Sequence, residues 1–97
     1  MHARVTLVQI VPDKVDDATA IYQDSVVPAA RQQKGCQGLY MLTDHATGKG
    51  MSIAFWDSEA DMTAGESSGY YQQQLDKFKD LWAAPPVREA YEVSVQG

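Results

Sequence analysis

Asparagine is missing altogether from this 97-residue chain, and cysteine, phenylalanine and tryptophan are sparse, at one, two and two. Cys36 has no partner for an internal disulfide, so the fold must stand on packing, and a lone thiol fits a reducing compartment. Basic charge is also short. Eight Lys and Arg stand against thirteen Asp and Glu, for a net charge of −5. The basic residues are scattered from Arg4 to Arg88 with no cluster. Such a chain repels nucleic-acid phosphate and anionic membrane surfaces. No apolar run approaches transmembrane length. The opening "MHARVTLVQIV" is apolar, yet it lacks a signal peptide's basic head and cleavage pattern. The expectation is a cytoplasmic protein with neither nucleic acid nor membrane as partner.

What is present suits one compact domain over residues 1–97, with 44% hydrophobic and 22% charged residues. A domain of this length buries only a modest share of its surface, so a partner subunit would add to its stability. "ARVTLVQIV" is rich in β-branched residues and reads as a first strand. Pro12 ends it, and Asp13 with Asp16 has the spacing of a capping box. Val15, Ala18, Tyr22, Val26 and Ala29 then recur at helical spacing. Pro28 should bend this helix or end its regular part, and Gly35 reads as its stop. "CQGLYMLTD" and "KGMSIAFWD" flank a short loop, "HATG", and read as an antiparallel hairpin. Ser58 and Asp61 form a second capping-box pattern, and "SSG" breaks the helix that follows. Tyr71, Leu75, Phe78 and Trp82 predict a further helical stripe, halted by "APP". "VREAYEVSV" is the last strand. "TGKGMS" fails as a phosphate loop, because Thr43 and Gly50 stand where that motif needs glycine and a hydroxyl residue.

The order β-α-β-β-α-β predicts an α+β, ferredoxin-like fold, a four-stranded antiparallel sheet with helices on one face. If the strands pair in register, one parity set is nearly all apolar: Val5, Leu7, Tyr40, Leu42, Ile53, Phe55, Tyr91 and Val93. The other is mixed: Thr6, Val8, Leu39, Met41, Ser52, Ala54, Trp56, Arg88 and Ala90. The helices cover only one face, so the second calls for a cover from outside the chain. The expectation is a homodimer packed through its sheet faces.

The element order, the "SVVPAARQQKG" helix end, the "FWDSEADM" junction and the final "PPVREAYEVSV" resemble the antibiotic biosynthesis monooxygenase domain over essentially the whole chain. The resemblance implies a dimeric α/β barrel with a small-molecule pocket in each subunit, between the sheet and the second helical region. Trp56 stands where several such enzymes place a pocket tryptophan. Haem-degrading members add an asparagine on strand one and a histidine on the second helix. This chain has no asparagine, and its histidines, His2 and His45, fall at the start of strand one and in the hairpin loop. Haem degradation is therefore disfavoured. Quinone-forming members combine tryptophan with asparagine, tyrosine and arginine, to which Tyr70, Tyr71 and Arg88 are approximate matches.

The implied activity is a cofactor-independent monooxygenase acting on a small aromatic or enolisable metabolite. In it Trp56, Ser52 and Thr6 bind substrate, Tyr70 donates or relays a proton, and Arg88 holds developing negative charge. The sequence carries no flavin, haem or metal motif, and no cofactor is expected. Each candidate also has a plainer reading. Trp56 could simply close a core. Either tyrosine could be amphipathic packing, with Tyr71 on the apolar stripe and Tyr70 freer. Arg88 could pair with Glu92 or a helix carboxylate. His45 and Asp44 read as solvated loop residues, and Cys36 as a small buried hydrophobe. A non-catalytic dimer that binds a small ligand, or one that is purely structural, is the alternative.

Overall fold

The computed structural model describes residues Met1–Gly97. Four strands, β1 (His2–Ile10), β2 (Cys36–Thr43), β3 (Lys49–Trp56) and β4 (Trp82–Glu92), form one sheet in the order β2-β3-β1-β4. Every pairing is antiparallel. The first helical rod comprises α1 (Val15–Ile21), a π-helical segment (Tyr22–Val26) and α2 (Val27–Arg31), which follow one another without a break. After the β2–β3 hairpin come α3 (Glu59–Ser67) and α4 (Tyr70–Asp76). The fold is the ferredoxin-like α+β arrangement expected from the element order.

Local chemistry sets most of the boundaries. Ser58 caps α3, its Oγ accepting the Asp61 amide at 3.1 Å. The pattern at Asp13 forms no cap: Pro12–Lys14 is a single 3-10 turn, and neither it nor α1 has a side-chain cap. The rod runs through Pro28 to Arg31, but not as a regular α-helix. It widens just before the proline, with the Val27 amide bonding back to the Tyr22 carbonyl. Proline has no N–H to continue an α ladder, and a π turn at that point absorbs the interruption. Gly69, in the left-handed conformation at φ 87°, separates α3 from α4.

The stripe from Tyr71 to Trp82 is not one helix. α4 stops at Asp76, turns follow, and Trp82 opens β4. Trp82 still meets its predicted neighbour, stacking on Phe78 with ring centroids 5.3 Å apart. "APP" therefore lies inside a strand rather than ahead of it. β4 is an edge strand, and its register with β1 shifts between Leu7 and Ile10. An edge and a bulge are the places where a strand tolerates proline.

The register groups the two parity sets as expected, except for Val93, which lies past the end of β4. Thr6 sits opposite Ser52 on one side and Arg88 on the other, while Ala3 faces Phe55 and Tyr91. The helices lie on the mixed face. One core cluster there joins Ile10, Val15, Ala18, Tyr22, Val26 and Phe78, and a second joins Ala54, Trp56 and Met62. The apolar face is left open: Tyr40, Leu42, Val87 and Tyr91 are exposed by half or more.

Candidate functional site

Both core clusters contribute to the wall of one cavity of about 70 Å³ between the helices and the mixed face. Its lining is mostly apolar, with a few polar groups among them Arg4, Thr6, Ser52, Tyr70, Tyr71 and Gln74. Three strand positions bring Thr6, Ser52 and Trp56 to this wall because they share one parity. Trp56 is 1% exposed, and its Nε1–H is buried without a hydrogen-bond partner. It is thus both a core residue and a cavity wall.

The residue that organises this end of the cavity is Arg4, which the sequence reading passed over. It is 4% exposed. Its guanidinium lies 4.2 Å from the Tyr71 ring centroid and 5.4 Å from that of Trp56, the geometry of a cation held between aromatic faces. Nη1 donates to the Met62 carbonyl at 3.2 Å and to Glu66 Oε2 at 3.3 Å. The other Glu66 oxygen, Oε1, pairs with Arg88 Nη1 at 3.1 Å. One carboxylate therefore serves two guanidiniums, and the trio keeps a net positive charge. Arg88 itself is half exposed and lies outside the cavity, behind the Tyr71 ring at 5.9 Å. Its partner is the helix carboxylate foreseen in its plainer reading.

The two tyrosines differ in how their hydroxyls are engaged. Both line the cavity. The Tyr71 hydroxyl is tied to Thr6 Oγ1 at 2.7 Å. Tyr70 uses its backbone for its bonds, amide to Ser68 Oγ and carbonyl from Gln74 Nε2, leaving the hydroxyl available to a ligand. Gly65 on α3 makes room for its ring, since a Cβ there would sit 3.2 Å from Tyr70 Cδ2. Burial pushes the Tyr70 phenol up to about 12, with the positive charge of Arg4 pulling the other way. At neutral pH it is a hydrogen-bond donor and not a base. Tyr22, also missed as a site residue, donates to the Tyr40 carbonyl at 3.1 Å and shares a 2.9 Å bond with Ser52 Oγ. Burial raises its pKa as well.

Neither histidine joins the cavity. His2 pairs with Glu59 at 3.1 Å and His45 with Asp16 at 3.0 Å. No group of three His, Cys, Asp or Glu side chains is arranged to hold a metal ion. The cavity wall therefore offers no histidine as an axial haem ligand.

An α+β domain with a cavity between its helices and one sheet face is the class of protein that this geometry defines. The antibiotic biosynthesis monooxygenase profile matches residues 1–77, and the chain belongs to that family. Rv0793 of Mycobacterium tuberculosis superposes with a TM-score of 0.76 over 98% of this chain and 96% of that one, at 15% identity. A Deinococcus radiodurans protein bearing the same family name gives 0.77 over 100% of both chains at 19% identity. Among curated relatives, the uncharacterized Rv2557 of M. tuberculosis is 24% identical over 94 residues, 97% of this chain and 41% of its own length. The chain thus spans about two-fifths of that relative. No helix is long and apolar enough to cross a membrane.

Proposed function

We propose that the chain is a cofactor-independent monooxygenase of a small aromatic or enolisable metabolite, working as a cytoplasmic homodimer. One observation carries this reading: a largely apolar cavity into which a neutral phenol and a buried guanidinium converge. A dry cavity suits a carbanion or enolate that must meet dioxygen before it meets a proton. Fixed donors beside it stabilise the anion without reorganising at the moment of reaction. For a substrate CH2 oxidised to C=O, one oxygen atom of O2 enters the product and the other leaves as water. The substrate supplies all four electrons, so the balance closes with no outside reductant. Trp56, Thr6 and Ser52 shape the cavity, Tyr70 donates to the substrate oxygen, and Arg4 takes the anion-holding role first given to Arg88. Arg88 then acts at one remove, through Glu66.

Oxygen uptake with hydroquinone-like and anthrone-like compounds tests the activity. Wild type should consume oxygen faster than the spontaneous reaction with at least one class, and Trp56→Phe and Arg4→Met should not. Uptake at the spontaneous rate throughout would overturn the proposal for those classes. The cavity's size favours a second reading. An engineered cavity of about 150 Å³ is what takes up benzene, and this one has about 70 Å³. A non-catalytic binder of a smaller ligand would need no more room.

A further inference from the structure

Arg4 is a permanent cation placed almost wholly out of water, and such a charge is retained only where something pairs with it. Its pairing here is incomplete. Of its nitrogens only Nη1 makes hydrogen bonds, to Met62 and Glu66, and Glu66 is shared with Arg88. The aromatic faces of Tyr71 and Trp56 hold the rest of the guanidinium. They orient it without cancelling its charge.

The same cavity has no free base. Tyr70 is a neutral phenol, the Tyr71 hydroxyl is bonded to Thr6, and both oxygens of Glu66 face guanidiniums. A neutral carbon acid entering this space would find nothing to take its proton.

From the surplus charge and the missing base together, we infer that the cavity selects its ligand as a small planar anion, a carboxylate, enolate or phenolate already ionised in water, with Arg4 as the group that binds it. Glu66 and Arg88 are positioning residues that set how much of the Arg4 charge reaches the ligand. The inference rests on the proposed function only for the identity of the cavity as the site. It concerns binding and needs no oxygen chemistry.

Two matched pairs test it: benzoate against benzamide, and acetate against acetamide, which are small enough for the cavity as it stands. NMR titration of the full chain near neutral pH gives each dissociation constant. Wild type should prefer the anion of at least one pair by tenfold or more. Arg4→Met should bring that ratio to about one. Glu66→Gln keeps an oxygen for Arg4 but removes the negative charge, and should raise the ratio several-fold. A purely structural role for Glu66 would not raise it, so this variant keeps the test decisive even if Arg4→Met fails to fold. Equal binding of anion and amide, no binding of any of the four at millimolar concentration, or a Glu66→Gln ratio at or below wild type would each overturn the inference. Anion preference without oxygen uptake would leave it standing and remove the monooxygenase reading. Oxygen uptake without anion preference would do the reverse.

Discussion

At the scale of single residues, the cavity wall sets one charged group beside one group kept neutral. Arg4 brings a guanidinium, whereas burial keeps the Tyr70 phenol neutral near pH 7. If Arg4 holds the reacting anion, Arg4→Met should lower oxygen-uptake turnover by about 10²-fold, the usual loss for one oxyanion donor. Tyr70→Phe should cost less if the phenol only shares that role; kcat measured on the best substrate of the panel decides between them. The Tyr70 shift also makes a statement about alkaline stability. Its pKa is raised from 10.0 to about 12 in the fold. A raised folded pKa contributes stability that is complete below the unfolded value and lost as pH climbs through the folded one. Between about pH 10 and 12, wild type should therefore lose denaturant midpoint faster than Tyr70→Phe does. Parallel curves would show that the phenol titrates freely. Thr6, Ser52 and Trp56 were legible in the sequence because strand parity alone puts them on one wall. Arg4 has that parity too, but a strand arginine reads as solvent-facing. Its reasons for burial, Glu66 on α3 and Tyr71 on α4, lie more than sixty positions away.

The elements were read best where a single residue dictates the backbone. Gly48, at φ 77°, closes the hairpin turn, and a Cβ there would collide with the Ile10 carbonyl. Gly69 has a similar φ of 87° but open space around it. Both substitutions by alanine carry the left-handed strain of about 1–2 kcal/mol, and only the first adds a clash with backbone that has no soft way to yield. Gly48→Ala should therefore destabilise by about 2 kcal/mol or more and Gly69→Ala by visibly less in urea unfolding. Equal losses would mean that the clash relaxes at no cost. The Ser58 cap was equally legible, since it needs only the side chain and the amide three residues on. The stripe from Tyr71 to Trp82 misled because contact does not require continuity. Phe78 and Trp82 do stack, but across a turn into a strand that begins ahead of Pro85 and Pro86 rather than after them. Nothing local announces an edge position, because edge status is a property of the finished sheet order.

For the whole molecule the open question is the uncovered sheet face. Tyr40 and Leu42 on β2 and Val87 and Tyr91 on β4 are 63%, 50%, 53% and 53% exposed. Ile53 and Phe55 lie between them on β3, as do Val5 and Leu7 on β1. The apolar patch thus runs from one edge of the sheet to the other, on the side away from the helices. Its extent was readable from alternation once the register was assumed; which face the helices take was not, because both parity sets contain enough apolar residues to form a core. In the proposed homodimer a second copy would cover this patch, a two-fold axis laying the apolar face against itself. Such an interface doubles every substitution made in it. Leu42→Glu with Tyr91→Glu would bring four carboxylates to an apolar contact, a cost of several kcal/mol in desolvation and repulsion. In sedimentation equilibrium at micromolar concentration, wild type should run at twice its 10.7 kDa chain mass. The double variant should run as a monomer that keeps its far-ultraviolet circular dichroism but unfolds at lower urea. Because the cavity lies on the opposite face of the sheet, binding of whichever anion wild type prefers should survive in that monomer within a few-fold. A wild-type monomer at these concentrations would remove the paired-sheet assembly and leave the cavity chemistry intact.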